Sequence, residues 1–220
     1  MTINKDLFDF NIIRKNQFFS IFYQNHYPLL LDEVSTVLEF GHGRGTSAAI
    51  LRHFNLKVTT VDFNKNFSPD FVDTILSFQT TNKFDLVCAF QVLEHNPIET
   101  IKENLTKMKS LSNKYVYISI PYSGRWFSLN LEMNFMPTKL GRWKKTFLLT
   151  WPRLIRKTRP IEKYKLREDK YNPHWWEVGD KKMTKKDFAR IIADSGLEVE
   201  KTFHNEYFPY HLFYLLKKIH

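Results

Sequence analysis

Apolar positions along the chain keep two rhythms. TVLEF (36–40), LKVTTVDF (56–63), FDLVCAF (84–90) and YVYISI (115–120) are short runs rich in β-branched and aromatic residues and predict buried strands. DFVDTIL (70–76) is a weaker strand of the same kind. Between these runs, TSAAILRHF (46–54) and NPIETIKENLTKMKSL (96–111) repeat their apolar residues every three or four positions, which predicts helices. A polar stretch over 5–24 carries Leu7, Phe8, Ile12, Phe18, Phe19, Phe22 and Tyr23 and predicts an amphipathic helical segment. Late in the chain, TKKDFARIIADSG (184–196) predicts a helix, and LEVEKTFHNEYF (197–208) and YHLFYLLKK (210–218) predict two strands in close succession. Thr46, Asn96 and Thr184 are candidate N-caps, Pro97 suits a first helical position, Glu99 completes a capping box, and Gly196 is a helix stop.

Strands and helices that alternate imply an α/β fold, a mostly parallel sheet covered by helices on both faces. Two consecutive strands at the end imply an antiparallel edge hairpin. The expected count is seven strands in a single domain, residues 1–220. Residues 1–34 form an N-terminal helical segment, and 122–172 form an insert after the fifth strand.

Composition narrows this picture. The chain has 220 residues, of which 43% are hydrophobic and 16% aromatic, enough for a real core. Its one cysteine, Cys88, suits a reducing compartment. No run approaches the roughly 18 apolar residues of a membrane span, and the first residues do not resemble a signal peptide. A cytoplasmic protein is expected. The net charge is +10, and nine of those charges come from Lys139 to Lys170, where twelve Lys or Arg face three acids. Such a stretch favours a phosphate-bearing partner, an anionic membrane surface or an acidic substrate. Contact with the inner face of a membrane is therefore part of the expectation.

Three of the seven glycines fall in VLEFGHGRGTSAAI (37–50), between the first strand and its helix. A glycine-rich turn there lets backbone approach a nucleotide-like ligand at a helix N-terminus. The dinucleotide pattern needs glycine at 46, where Thr46 stands, and no Gly-Lys-Ser/Thr ending marks a phosphate loop. Glu39, two residues before Gly41, disfavours a pyrophosphate and favours an ammonium group. Asp62 can accept both hydroxyls of a ribose, and Phe63 can lie against an adenine. Amine, ribose and adenine together describe S-adenosylmethionine.

LEFGHGRG, VDF, FDLVCAFQVLEH and SIPY, in this order, resemble the motifs of class I S-adenosylmethionine-dependent methyltransferases. The resemblance covers about 35–122 and resumes from about 174. It implies a Rossmann-like sheet, S-adenosylmethionine as cofactor, and contacts from Glu39, Gly41, His42, Gly43, Gly45, Asp62 and Phe63. It further implies Asp73 or Thr74 near the adenine amine, and Phe90 and Gln91 at the sulfonium pocket.

Candidates for acceptor chemistry are Glu94, His95, His174, Glu177 and Tyr122. Gln91, Glu94 and His95 share a face if the segment turns helically. Some relatives hold a divalent ion with Glu-x-x-Glu-His at this point. Gln91 replaces the first Glu, a neutral and poorer ligand, so no metal is expected. NPHWWEVGD (172–180) is a second cluster, with Trp175 and Trp176 as walls of a substrate site. LGRWKKTFLLTWPRLIRK in the insert mixes aromatic and basic residues, a composition that suits a membrane interface, a lipid phosphate, a nucleotide-sugar or stacked bases. The favoured function is methyl transfer, at oxygen, to a small anionic or glycan acceptor. The alternatives are an RNA methyltransferase and a non-catalytic cofactor-binding or interaction module.

Overall fold

The computed structural model describes residues 15–135, 141–151, 174–180 and 183–219. Its elements are α1 (Lys15–Leu30), β1 (Thr36–Phe40), α2 (Thr46–His53), β2 (Lys57–Asp62), β3 (Phe71–Val72), β4 (Phe84–Phe90), α3 (Ile101–Leu111), β5 (Ser112–Pro121), β6 (Arg125–Phe135), β7 (Gly141–Trp151), α4 (Lys185–Asp194), β8 (Leu197–His204) and β9 (His211–Lys218). The expected helical segment over 5–24 continues to Leu30, and its part before Lys15 lies outside the described residues. The insert beyond Trp151, up to 173, also lies outside them.

Seven strands form one sheet in the order β3-β2-β1-β4-β5-β9-β8. β1 to β5 run parallel, and β9 runs antiparallel to both β5 and β8. The pleat sends alternate side chains to opposite faces. Val87, Ala89, Val116 and Ile118 pack under Ile101, Leu105 and Met108 of α3 and Phe188 and Ile192 of α4. Leu86, Cys88, Tyr115 and Tyr117 meet Leu51 of α2 and the rings of Tyr23 and Tyr27 in α1 on the other face. Cys88 is fully buried, and burial pushes its thiol pKa well up.

Helix ends differ from expectation at two places. Gly45, at φ 74°, is the N-cap of α2, so Thr46 is its first residue rather than its cap. α3 starts from Thr100 after a short 3₁₀ turn, and no capping box forms at Asn96 and Glu99. Asn96 instead turns its amide back to the Val92 carbonyl, at 3.1 Å. Thr184 does cap α4, through a capping box with Asp187, and Gly196 ends that helix at φ 72°. The expected third strand shrinks to Phe71–Val72. β6 and β7 form a separate antiparallel hairpin within the stretch expected as an insert.

Candidate functional site

The strand order reverses between β1 and β4, the position where sheets of this kind bind ligands beyond the strands' carboxyl ends. A cavity of about 710 Å³ opens there, within the usual range for a small-molecule site. Its lining includes Gly41, Gly43, Asp62, Phe63, Asp73, Thr74, Phe90, Gln91 and His95. Each of these follows or ends one of β1, β2, β3 and β4.

The glycines are required by backbone conformation and by space. Gly41, Gly43 and Gly45 have φ of 77°, 50° and 74°, the left-handed region that disfavours a side chain. A Cβ on Gly41 would lie 2.2 Å from Val92 Cγ2, and one on Gly45 would lie 2.7 Å from His42 Cε1. His42 therefore folds its ring back over Gly45, behind the loop. At Gly43 the nearest atom to an added Cβ is the Gly41 carbonyl oxygen, at 3.9 Å, so room remains on that side. The Gly43 N–H donates to Asp62 Oδ2 at 2.9 Å, and the Asn64 N–H donates to Oδ1 at 2.8 Å. Each Asp62 oxygen so keeps further capacity to accept.

Glu39 is placed differently from the sequence expectation of a side chain aimed at the ligand. The pleat turns it to the face under α2, with Cys88 as its register partner on β4, and it does not line the cavity. Its carboxylate lies 4.0 Å from His42 Nδ1, an ion-pair distance too long for a hydrogen bond. Burial pushes the Glu39 pKa up, and His42 opposes this.

Beyond β3, Asp73 accepts from the Thr74 N–H at 2.8 Å and from the Ser77 hydroxyl, which knits this part of the rim together. Phe63 is 66% exposed, an aromatic face open to a flat partner. Phe90 is held edge-to-face on Tyr117, with ring centroids 5.2 Å apart. Gln91 is a non-glycine residue at φ 57°, fixed by its N–H to the Ser119 carbonyl and its amide to the Ser119 hydroxyl, at 2.9 and 3.2 Å. Left-handed backbone costs such a residue about 1–2 kcal/mol, strain that clusters at functional sites.

Leu93–His95 form one 3₁₀ turn, and the segment holding His174 is stitched onto it. The Trp175 N–H donates to the Glu94 carbonyl at 2.8 Å, and the Trp176 indole donates to the Asn96 carbonyl at 3.1 Å. His95 and His174 thereby meet edge-to-face at 4.9 Å. His174 Nδ1 is 3.0 Å from Glu177 Oε1, which also accepts from the Tyr210 hydroxyl at 2.9 Å. A carboxylate at Nδ1 places a proton there and leaves Nε2 as an acceptor. The two tryptophans part: Trp176 is buried against Phe188, and Trp175 stays exposed.

Glu94 is fully buried, and neither carboxylate oxygen has a hydrogen-bond partner among the described residues. Burial pushes its pKa up to about 8, with neighbouring Glu177 adding to the rise. Ligand atoms of Glu94, His95 and His174 lie within 4.8 Å of one another, a spacing that a cation could bridge. Sequence reasoning missed Tyr210 and His211 beside this cluster. Burial, and then His174, lower the His211 pKa to about 4. Tyr210 precedes β9 and His211 begins it, in an aromatic run whose spacing does not tie them to His174.

The sequence profile described as a methyltransferase domain matches residues 16–202. A search of curated proteins found no match. Among solved structures, magnesium protoporphyrin IX methyltransferase from Synechocystis with bound S-adenosylmethionine is 13% identical, with a TM-score of 0.60 over 99% of this chain and 86% of that one. A sugar N-methyltransferase from Streptoalloteichus is 10% identical, with a TM-score of 0.61 over 100% and 94% of the two chains. The 1,6-didemethyltoxoflavin-N1-methyltransferase of Burkholderia thailandensis, with its acceptor and S-adenosylhomocysteine bound, is 12% identical, with a TM-score of 0.58 over 98% and 84%. These likenesses establish a shared fold.

Proposed function

From the premise that this chain belongs to the methyltransferase-domain family, and is an S-adenosylmethionine-dependent methyltransferase, we propose that it methylates an oxygen of a small anionic, glycan or phosphate-bearing acceptor. The observation that carries this reading is the His95–His174 pair with Glu177 behind it, at the edge of the cavity that Asp62 and the glycine loop also line.

The residues present fit the cofactor. Gly41 and Gly43 admit it closely, Asp62 keeps acceptor capacity for ribose hydroxyls, and Phe63, Asp73 and Thr74 line the part suited to an adenine. Glu39 and His42 stand behind the loop and shape it. When bound, S-adenosylmethionine supplies an electrophilic methyl group on a sulfonium. The chain's task is then to hold an acceptor in line with that methyl group, exclude water and take up a proton. Phe90 and Gln91 form the wall nearest the β4 end of the cavity. Glu177, fixed by Tyr210, holds the His174 Nδ1 proton, so Nε2 is free in lone-pair terms to accept the acceptor's hydroxyl proton. His95 lines the cavity and meets the His174 ring edge-to-face, and the Glu94 carboxyl is buried beside them.

Support for a small acceptor comes from relatives described as methylating a porphyrin, a toxoflavin precursor and sugars. The basic character of 139–170 supports an anionic one, with a cytoplasmic setting next to a membrane. The test is calorimetry with S-adenosylmethionine, followed by S-adenosylhomocysteine release over a panel of sugars, sugar phosphates and short RNAs. Turnover confined to RNA would overturn the acceptor reading, and no cofactor binding at high micromolar concentration would overturn the placement of the site.

A further inference from the structure

The β6–β7 hairpin is built inside out. Its register pairs Phe127 with Leu149, Leu129 with Phe147 and Leu131 with Lys145, so these side chains share one face. Among the described side chains of that face, Phe127, Leu129, Leu131, Phe147 and Leu149 are 44% to 64% exposed. Thr150 belongs to the opposite face, where its hydroxyl accepts from Lys185 of α4 at 3.2 Å. That opposite face, which carries Ser128 and Thr150 together with Trp126 and Leu148, is thus tied to α4, and the face of Phe127, Leu129, Leu131, Phe147 and Leu149 points outward. A soluble hairpin has the reverse arrangement. Exposed contiguous apolar surface of this kind marks a docking site.

We propose that this face docks on an anionic lipid bilayer. Charge selects that occupant. Residues 125–151 contain five Lys or Arg and one acid. Lys145 lies in the apolar row itself, its Nζ 5.9 Å over the Phe147 ring, and Arg125 is exposed at the foot of the same row. Aromatic and aliphatic side chains enter the headgroup boundary while neighbouring cations meet lipid phosphates. By register this face carries Arg125 and Lys145 and no acid, so two copies packed through it would bury cations without an anionic partner, which disfavours a dimer there. The proposal does not depend on which acceptor is methylated.

Sedimentation of the full chain with vesicles tests it. The protein is expected to pellet with phosphatidylcholine–phosphatidylglycerol vesicles and remain in solution with phosphatidylcholine alone, with the bound fraction falling as salt is raised. The double variant Phe127→Ser/Leu149→Ser is expected to bind anionic vesicles at least about tenfold more weakly, because lost apolar burial weakens interfacial binding. Its calorimetric affinity for S-adenosylmethionine should equal the wild type's, which shows that the domain is folded. The proposal is overturned if the wild type stays in solution with anionic vesicles, if the double variant pellets like the wild type, or if light scattering finds a wild-type dimer that the double variant dissociates.

Discussion

Replacing Glu94 with glutamine separates the energetic cost of one buried carboxyl from everything else in the fold. In the native chain that carboxyl is fully buried, and its pKa rises from 4.5 to about 8. In the unfolded chain it titrates near the ordinary value. Between the two values the native state holds a proton that the unfolded state has released, so stability falls as pH rises. Below the unfolded value the stabilisation is fully present; above the folded value it is gone. The slope is about 1.4 kcal/mol per pH unit, and the window sums to roughly 5 kcal/mol. His204 and His211 act in the other direction. Burial lowers both from 6.5 to about 4, so their contribution is lost as pH falls through that range. Comparing wild type with Glu94→Gln cancels them. Urea unfolding followed by the fluorescence of the five tryptophans should give matching stabilities near about pH 5 and a variant several kcal/mol more stable by about pH 8. Parallel profiles across that range would refute the raised carboxyl. If a slope emerges only after a chelator is added, a cation bound by Glu94, His95 and His174 has been keeping the group ionised.

Asp62→Ala should weaken S-adenosylmethionine binding by more than about 1 kcal/mol in calorimetry, since charge-assisted hydrogen bonds are lost and the Gly43 N–H is released. His95→Ala and His174→Ala should lower turnover on the true acceptor and spare cofactor affinity; full activity in both would remove them from the chemistry. Glu177→Gln should lower kcat and shift its pH profile with little change in KM, because it acts by positioning His174. Gly41→Ala should abolish cofactor binding, as a Cβ there meets Val92 at 2.2 Å in a left-handed backbone; an unchanged calorimetric isotherm would contradict that geometry. A chelator should leave methyl transfer unaltered, and a loss restored by a divalent cation would reverse the expectation of a metal-free site.

The strands were legible because short β-branched or aromatic-flanked apolar runs such as KVTTVD and FDLVCAF have few other buried solutions, and the glycine loop because three left-handed positions cluster in five residues. Helix starts were less so. Thr46 and Asn96 have good capping chemistry, yet the chain direction leaving each strand decided which residue became the cap. β6 and β7 were hidden because an apolar face turned outward and mixed with cations resembles a disordered basic cover more than a strand pair. The Glu39 direction required knowing which face the pleat offered. His174 and His95 stand 79 positions apart, and they are brought together by the bonds from the Trp175 N–H to Glu94 and from the Trp176 indole to Asn96. The paired tryptophans, read as one wall, fell on opposite sides of the surface.

Cys88 lies in β4, the central strand of the seven, roofed by helices on both faces and with no exposed surface. An alkylating reagent can reach it only while the sheet is open. Its labelling rate under native conditions is thus a clock for the rarest opening of the molecule, readable by mass in a mixture and without purification to homogeneity. A ligand that binds across the ends of β1 and β4 must slow that clock, so the thiol offers a screen for acceptors that needs no knowledge of the product.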